Sequence, residues 1–455
     1  MTTETLNNSL SCARLGELVE GNEIRTVLLG VPDLLGRLKG KRLDARHFMS
    51  QLPAGSEMCA YVLATDVDMT PLPGFALTGW DHGYGDLTVV PDRTAIRRLS
   101  YLPQTALVFG DPRHRDGRRV DVVPRQMLRQ QIKALAALGW EARVGIESEF
   151  MLYRGTADSI HKKGFRDLTP VSPHNLDYAL DHPPGLSAFF GDLQDALAHA
   201  DASVEAVKTE GAPGQIEVTW PYGEPVRACD TYTVHKHAVR HIAPAHNLTP
   251  TFMATPHTGI GSGLHFHISL WREGEASFEA TPNADLPELL RQSIAGLVTA
   301  LPYLAPFYAP TPNSYRRFAP HSFAPTHYTW GLDNRTCAVR VAGHHENTRL
   351  EVRLPGADAN PYLALASLLA AIVHGVTHQP TLPPPCQGDA YEGPNALPVP
   401  RTLDEALLSF RAEKIAERAF GTPVVEHYAR LAEVEVQRHH RLVTDIDRER
   451  GFFHA

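Results

Sequence analysis

The most informative feature of this sequence is a pair of glutamates placed two residues apart in a short apolar run. The run Arg143-Val-Gly-Ile-Glu-Ser-Glu-Phe150 has the pattern of a β-strand, in which successive side chains point to opposite faces. Glu147 and Glu149 therefore share one face, while their apolar neighbours face the other way. Two adjacent carboxylates repel each other and are costly to bury, so water or a cation must neutralise them. Taken alone, the pair also fits a solvated edge strand.

Length, charge and cysteine content narrow the class of protein. The chain has 455 residues, more than one hydrophobic core usually serves, so we expect at least two domains. We place the boundary in the polar stretch Asp111–Arg119, which gives domains 1–112 and 113–455. The net charge of -8 argues against a nucleic-acid partner. Five scattered cysteines without a CxxC pair are typical of a reducing compartment.

Nothing in the sequence predicts a targeting or membrane segment. The N-terminus lacks a basic region followed by an apolar stretch, so no signal peptide is predicted. The most apolar run, Tyr362–Val373, is too short to span a bilayer. We therefore expect a cytoplasmic protein with no membrane partner.

Periodicity and turn residues predict the other main elements. We expect strands at Thr26–Gly30 and at Asp86–Val90, the second ending at Pro91. Helices are predicted at Pro124–Leu138, in a buried segment after Pro361, after a capping box at Thr402–Glu405, and at Val424–Val443. The proline-rich stretch Pro380–Pro400 is predicted to be a loop.

Three further segments carry polar side chains on one face of a predicted strand. In Leu264–Leu270 these are two histidines and a serine, in Glu205–Glu217 a Pro-Gly turn joins two glutamate-bearing runs, and in Arg349–Arg353 arginines flank Glu351. Carboxylates and imidazoles suit Mg²⁺ or Mn²⁺, and arginines suit phosphate. Taken singly, each segment has a simpler explanation: His265 would be a buried core histidine, and Glu351 with Arg353 would be a solvated ion pair. The sequence has no P-loop motif. Only the joint occurrence of these segments indicates a site.

Six motifs occur along the chain in a recognisable order. They are Gly145-Ile-Glu-Ser-Glu-Phe150, Ala212-Pro-Gly-Gln-Ile-Glu217, Gly261-Ser-Gly-Leu-His-Phe-His267, Asn313-Ser-Tyr-Arg-Arg317, Asp333-Asn-Arg335, and Arg349-Leu-Glu-Val-Arg-Leu-Pro355 followed by Asn360-Pro-Tyr-Leu363. With these motifs the chain resembles the glutamine synthetase superfamily over essentially its whole length. The resemblance implies an α+β fold, with an N-terminal β-grasp domain and a catalytic domain whose curved antiparallel sheet is flanked by helices.

The resemblance also implies roles for individual residues around two or three Mg²⁺ or Mn²⁺ ions. One ion would be held by Glu149, Glu210 and Glu217, and another by Glu147, His265 and Glu351. Arg317 and the backbone of Gly261 would hold glutamate, and Arg335 and Arg353 would face the γ-phosphate and the tetrahedral centre. ATP, the co-substrate, would contact Glu205, His267, Ser269, Arg335, Arg340 and Arg349.

The implied reaction is an ATP-dependent carbon–nitrogen ligation. A carboxylate is a poor acylating group because its leaving group would be oxide. Phosphorylation of the γ-carboxylate of L-glutamate makes an acyl phosphate, which an amine attacks to give a γ-glutamyl amide.

Two departures from the ammonia-using pattern predict the nucleophile. Ammonia-using members carry a glutamate in a flap that here reads Pro320-His-Ser-Phe-Ala-Pro325, so Phe323 stands where that carboxylate belongs. They also carry an aspartate that Pro73-Gly-Phe-Ala-Leu-Thr-Gly-Trp80 lacks. Without these anions the ammonium ion loses its counter-charge, while Phe323 would pack against a carbon-bearing amine. The pattern resembles the γ-glutamylpolyamine and γ-glutamyl-amine synthetase branch.

We therefore expect a glutamate–amine ligase that uses a polyamine such as putrescine, or ethanolamine. An ammonia-using glutamine synthetase and a non-catalytic relative are the alternatives. The resemblance further implies a homododecamer of two hexameric rings. The sequence shows no clear match to the C-terminal regulatory tyrosine loop of the adenylylated members, so we do not expect that form of control. Five loop side chains would contact the far end of the amine: Asp81, His82, Asp86, His321 and His327. The alternative is that they are ordinary surface residues.

Overall fold

The computed structural model describes residues 10–280, 285–392 and 395–454. Two β-sheets organise these residues, and they are formed by separate stretches of the chain. The elements up to residue 113 are α1 (Cys12–Glu20), β1 (Thr26–Pro32), β2 (Leu38–Asp44), α2 (Ala45–Gln51), β3 (Ser56–Cys59), β4 (Asp86–Leu99) and β5 (Thr105–Arg113).

The first sheet has five strands in the order β2-β1-β5-β4-β3. Its central pair, β1 and β5, is parallel, and the other pairs are antiparallel. Helices α1 and α2 pack on this sheet through a small apolar cluster that includes Leu15, Phe48 and Val108.

The second sheet has nine strands and belongs to the larger part of the chain. Its path is β12-β13-β14-β10-β6-β8-β7, with β11 beside β10 and β9 beside β6. Every pair is antiparallel except β12 and β13. The strands are β6 (Glu141–Arg154), β7 (Ala206–Thr209), β8 (Gln215–Thr219), β9 (Leu248–Thr251), β10 (Leu264–Arg272), β11 (Glu275–Ala276), β12 (Trp330–Leu332), β13 (Val339–Ala342) and β14 (Arg349–Val352).

Helices cover the apolar face of the second sheet. The most buried is an 18-residue helix beginning at Pro361, which has the length and composition of a membrane span, with 72% of it buried inside the fold. It packs as a core helix against the helices that begin at Pro124 and Glu288. The helices are α3 (Pro124–Ala137), α4 (Ala157–Lys162), α5 (Pro184–His199), α6 (Pro225–Ile242), α7 (Glu288–Ala300), α8 (Ala305–Tyr308), α9 (Pro361–His378), α10 (Leu403–Ala412), α11 (Ile415–Phe420), α12 (Thr422–Arg441) and α13 (Asp445–Gly451).

The α+β class with two sheets confirms the predicted fold, and most predicted elements are present within a few residues. The end of the second predicted strand is wrong, because β4 continues past Pro91 to Leu99. A register shift between Pro91 and Ile96 lets the proline sit at an irregularity, where a missing N–H is tolerated. The domain boundary between residues 112 and 113 stays a prediction.

The polar stretch Asp111–Arg119, where we place the domain boundary, begins as the end of β5 and closes into a tight turn, in which Arg113 pairs with Arg119. The predicted capping box needs correction. Thr402 caps α10 by accepting a hydrogen bond from the Glu405 N–H. The Glu405 carboxylate, however, accepts from the Arg401 N–H instead of that of Thr402, so the capping box is only half formed.

Candidate active site

The polar face of β6 lies at the centre of the candidate site. Glu147 pairs in register with His265 on β10, and Glu149 pairs with Glu217 on β8. The alternate residues Ile146 and Phe150 are at most 2% exposed and lie in the main core. The predicted division of this strand into a carboxylate face and an apolar face is therefore confirmed.

One group of carboxylates comprises Glu149, Glu210 and Glu217, which we call the acidic triad. Each offers an oxygen that lies within 4.8 Å of an oxygen of the other two. Two neutral donors hold Glu149 in place, since its Oε2 accepts from Gln215 Nε2 and from the Gly263 N–H, each at 2.8 Å. The orientation of this carboxylate is thus set before any cation binds.

A second group surrounds Glu147. Ligand atoms of Glu147, His267 and Glu351 lie within 4.8 Å of one another. His265 is also close, with its Nδ1 3.3 Å from Glu147 and 3.8 Å from Glu351, and its Nε2 4.0 Å from Glu149. The structure thus brings both histidines to Glu147 and places His265 between the two carboxylate groups.

The electrostatics of these groups suit a divalent cation. Burial and repulsion by Glu147 raise the pKa of Glu217 to about 9. Burial also disfavours ionisation of Glu147, but hydrogen bonds from His265 and His267 hold its pKa well below its usual value. Clustered carboxylate oxygens with imidazole nitrogen are a donor set for Mg²⁺ or Mn²⁺. The residues present therefore fit the ions that the resemblance implies.

Arginines border the Glu351 side of the site. Glu351 is 1% exposed and forms ion pairs with Arg340, at 2.7 Å, and with Arg353. Burial raises the pKa of Glu351, but Arg353 and His265 outweigh it and lower the pKa to about 2. Arg317 is buried, with its Nη1 donating to the Arg353 and Leu354 carbonyls.

A cavity of about 340 Å³ opens beside Glu147. Of the six residues predicted to contact ATP, four line it: Glu205, His267, Ser269 and Arg349. Arg340 instead pairs with Glu351 and Asp333, and Arg335 is exposed on the loop after β12. Two aromatic rings in the cavity wall, Tyr222 and Trp271, lie 6.2 Å apart and nearly parallel.

The flap segment reaches the site through its backbone. Arg353 Nη2 donates to the Phe323 carbonyl at 3.3 Å, and the Tyr391 hydroxyl donates to the Ala324 carbonyl at 3.1 Å. The Phe323 side chain itself is 64% exposed. Among the residues predicted to read the far end of the amine, His82 lies 3.5 Å from Asp81 on an exposed turn.

Sequence reasoning missed several residues that shape the site. Gln215 orients Glu149, Lys208 contacts the acidic triad, and Tyr222 and Trp271 line the cavity. Lys208 had a detectable signal, because it lies two residues before Glu210 on the same predicted strand and so shares its face. The others depend on contacts between distant segments.

Gly263 is required by close packing. A Cβ at this position would lie 2.6 Å from His265 Nε2, 2.9 Å from Arg317 Nη2 and 3.0 Å from Glu149 Oε1. We expect Gly263→Ala to displace these side chains and to lower kcat by about 100-fold, the cost of a misplacement near 1 Å. Steady-state kinetics would measure this loss. Gly191→Ala is the control, since Gly191 lies within helix α5, has no positive φ, and its Cβ would meet nothing within 4 Å; an equal loss in both variants would contradict the role of close packing at Gly263.

An antiparallel sheet that gathers carboxylates, imidazoles and arginines beside a cavity is typical of a metal-dependent enzyme that handles phosphate. The family model described as "Glutamine synthetase, catalytic domain" matches residues 121–451. The chain belongs to the glutamine synthetase family, and it is a carbon–nitrogen ligase. Enzymes of this family use ATP and divalent metal ions.

Curated relatives align along nearly the whole chain. The chain is 40% identical to the γ-glutamylethanolamide synthetase GlnA4 of Streptomyces coelicolor, over 97% of this chain and 96% of the relative. It is 31% identical to the glutamate–isopropylamine ligase of a Pseudomonas species, over 96% and 97%. It is also 31% identical to the γ-glutamylputrescine synthetase PuuA of Escherichia coli, over 92% and 89%.

Solved structures support the same fold. The GmaS–ADP complex superposes with a TM-score of 0.83 and 24% identity, covering 96% of this chain and 99% of that one. A glutamine synthase homologue gives a TM-score of 0.79 at 25% identity, covering 94% and 98%. The predicted family and fold class are confirmed.

Proposed function

We propose that the chain is an ATP-dependent ligase that joins the γ-carboxylate of L-glutamate to a small primary amine, with ethanolamine as the leading candidate and putrescine as the alternative. The observation that carries this proposal is Phe323. Its backbone is tied to Arg353, its ring is 64% exposed, and the flap Pro320–Pro325 contains no carboxylate. An exposed apolar ring at this point favours a carbon-bearing amine over ammonium.

The relatives support the substrate class. The ethanolamide synthetase is 40% identical to this chain, whereas the putrescine and isopropylamine enzymes are 31% identical. We infer the order of candidate amines from this difference, and we place the activity in amine assimilation or detoxification.

The site residues have the following proposed roles. The acidic triad would hold one divalent ion, and Glu147 and Glu351 with His265 or His267 would hold another; two or three Mg²⁺ or Mn²⁺ ions would bind in total. When bound, these ions would neutralise phosphate oxygens and withdraw charge from the transferred group. The cavity beside Glu147 would take the nucleotide, with Tyr222 and Trp271 as apolar walls.

The arginines would act on the reacting carboxylate. Arg317 and the Gly261 backbone would fix glutamate, and Arg335 and Arg353 would stabilise charge on the γ-phosphate and on the tetrahedral intermediate. Formation of the acyl phosphate transfers the γ-phosphoryl group of ATP to a glutamate oxygen and releases ADP. The amine then forms the C–N bond, loses a proton, and displaces inorganic phosphate.

The first test is ADP release with ATP, Mg²⁺ and L-glutamate against ammonium, ethanolamine, putrescine, cadaverine, spermidine and spermine, with products identified by mass. We expect turnover with an organic amine and little with ammonium. Glutamine as the main product would contradict the proposal and favour an ammonia-using enzyme.

Phe323→Glu tests the nucleophile site directly. We expect kcat/KM for the organic amine to fall by about 10- to 200-fold, the range for loss of apolar contact in a pocket, and ammonium turnover to rise because a carboxylate is restored. Phe165→Glu is a matched control, since Phe165 is 66% exposed and also has a positive φ, 60° against 57° for Phe323. Unchanged ratios of amine to ammonium turnover in Phe323→Glu would refute this role.

We also propose a homododecamer of two hexameric rings. Trp80 lies in a turn before β4, and its side chain is 82% exposed in the single chain. Its burial against a neighbouring subunit would explain that exposure. A fully active monomer in size-exclusion chromatography with light scattering would contradict the assembly.

A further inference from the structure

Lys208 is a cation built into the acidic triad. Its Nζ donates a hydrogen bond to Glu210, lies 3.5 Å from Glu217, and lies 3.9 Å from Asp177 at the rim. The Tyr178 ring faces the same nitrogen at 4.6 Å. An ammonium has three N–H donors, and here three carboxylates and an aromatic face surround it.

The strand pairing explains why the lysine points inward. Lys208 on β7 lies directly opposite Glu217 on β8, so the two side chains share one face of the sheet. Glu210 lies one residue beyond the end of β7, and its carboxylate accepts the hydrogen bond of Lys208. The Lys208 side chain is 22% exposed, against 24% for Glu210 and 10% for Glu217. The contact is therefore part of the site wall and is partly shielded from water.

Charge decides how many ions this part of the site needs. Carboxylates coordinate a divalent ion in their ionised form. In the ion-bound site the three carboxylates of the acidic triad and one ammonium therefore carry a net charge of two negative, which a single divalent cation neutralises. A second divalent ion at the triad would leave an excess of positive charge beside the ammonium. Lys208 Nζ already contacts one oxygen of Glu210 and lies 3.5 Å from one oxygen of Glu217, so it competes with a second ion for the same oxygens.

We propose that Lys208 is a positioning residue that stands in for a second divalent ion at the acidic triad, so that Glu149, Glu210 and Glu217 together take one ion. This inference rests on the metal-dependent part of the proposed function. It narrows the two or three ions proposed above to two, one at the triad and one at Glu147.

The test is equilibrium binding of Mn²⁺ to the full-length protein after chelation and buffer exchange, with free Mn²⁺ measured by electron paramagnetic resonance. We expect two ions per wild-type chain and three per chain in Lys208→Met, because removal of the ammonium leaves an uncompensated carboxylate pair. Lys208→Arg should bind two ions, because it keeps the charge. Lys163→Met, at an exposed position on the surface, is the matched control and should bind two.

Lys208→Gln provides a second neutral variant, and thermal denaturation would show which variants are folded. Two ions per chain in both neutral variants would overturn the proposal, whatever their affinity. Three ions in the wild type would do so as well. Since Mn²⁺ binding requires neither glutamate nor an amine, these outcomes are separate from the substrate test. A wild-type chain that binds no Mn²⁺ would overturn the metal-dependent function together with this inference.

Discussion

Replacing Glu147 with alanine is expected to abolish turnover. Both histidines lie close to Glu147, with His265 Nδ1 at 3.3 Å and His267 Nε2 at 2.8 Å. Loss of Glu147 would remove a proposed metal ligand and the nearest carboxylate of each imidazole. Because residues that merely orient a ligand cost about 10- to 100-fold, we expect kcat to fall by more than about 100-fold. Coupled measurement of ADP release with the best amine would quantify the loss.

The same strand supplies a matched control for Glu147→Ala. Glu141 lies on the same face six residues earlier, at the exposed start of β6, where it pairs with Arg143 at 3.7 Å. Glu141→Ala should keep nearly full activity. A folded Glu147→Ala enzyme with wild-type kcat would contradict the metal role and would favour the non-catalytic alternative.

Replacing Arg353 with glutamine is expected to have an effect of comparable size. The Arg353 guanidinium pairs with Glu351, which is 1% exposed, and also holds the Phe323 carbonyl. Its removal would take a positive charge from the proposed tetrahedral centre and would release the flap. Loss of one such stabilising donor costs about 10²- to 10³-fold in kcat, and we expect a loss in this range.

The conservative variant separates charge from geometry at Arg353. Arg353→Lys keeps the charge but loses the planar fork that contacts Glu351 and the flap together, so we expect it to recover only part of the activity. Arg448→Gln, at a position 62% exposed on α13, should leave kcat unchanged. Full activity of Arg353→Gln, with ethanolamine or putrescine as substrate, would exclude a catalytic role for this arginine.

Local patterns in the sequence predicted a large part of this site. Alternation placed Glu147 and Glu149 on one face of β6, and the same rule placed His265 and His267 on one face of β10. These predictions hold because the direction of a side chain in a strand depends only on its neighbours. The order of the six motifs predicted the family and the fold class, both of which are confirmed.

Predictions that depended on strand length or on a single capping interaction were less accurate. Proline ended the predicted strand at residue 91, yet β4 accommodates it at a register shift because β5 continues to pair on both sides. The Glu405 carboxylate accepts a hydrogen bond from the Arg401 N–H, whereas a capping box requires the N–H of Thr402. The sequence contains no local signal for either outcome.

The residue types, the strand faces on which they lie and their order along the chain could all be predicted from local patterns. The contacts between these groups depend on how distant segments pack. The tertiary structure brought His267 as well as His265 to Glu147, placed Lys208 among the acidic triad, and left Gly263 no room for a side chain. These contacts join β6, β7, β8 and β10, whose register is fixed by long-range pairing and core packing, and no local pattern encodes distances between such distant segments.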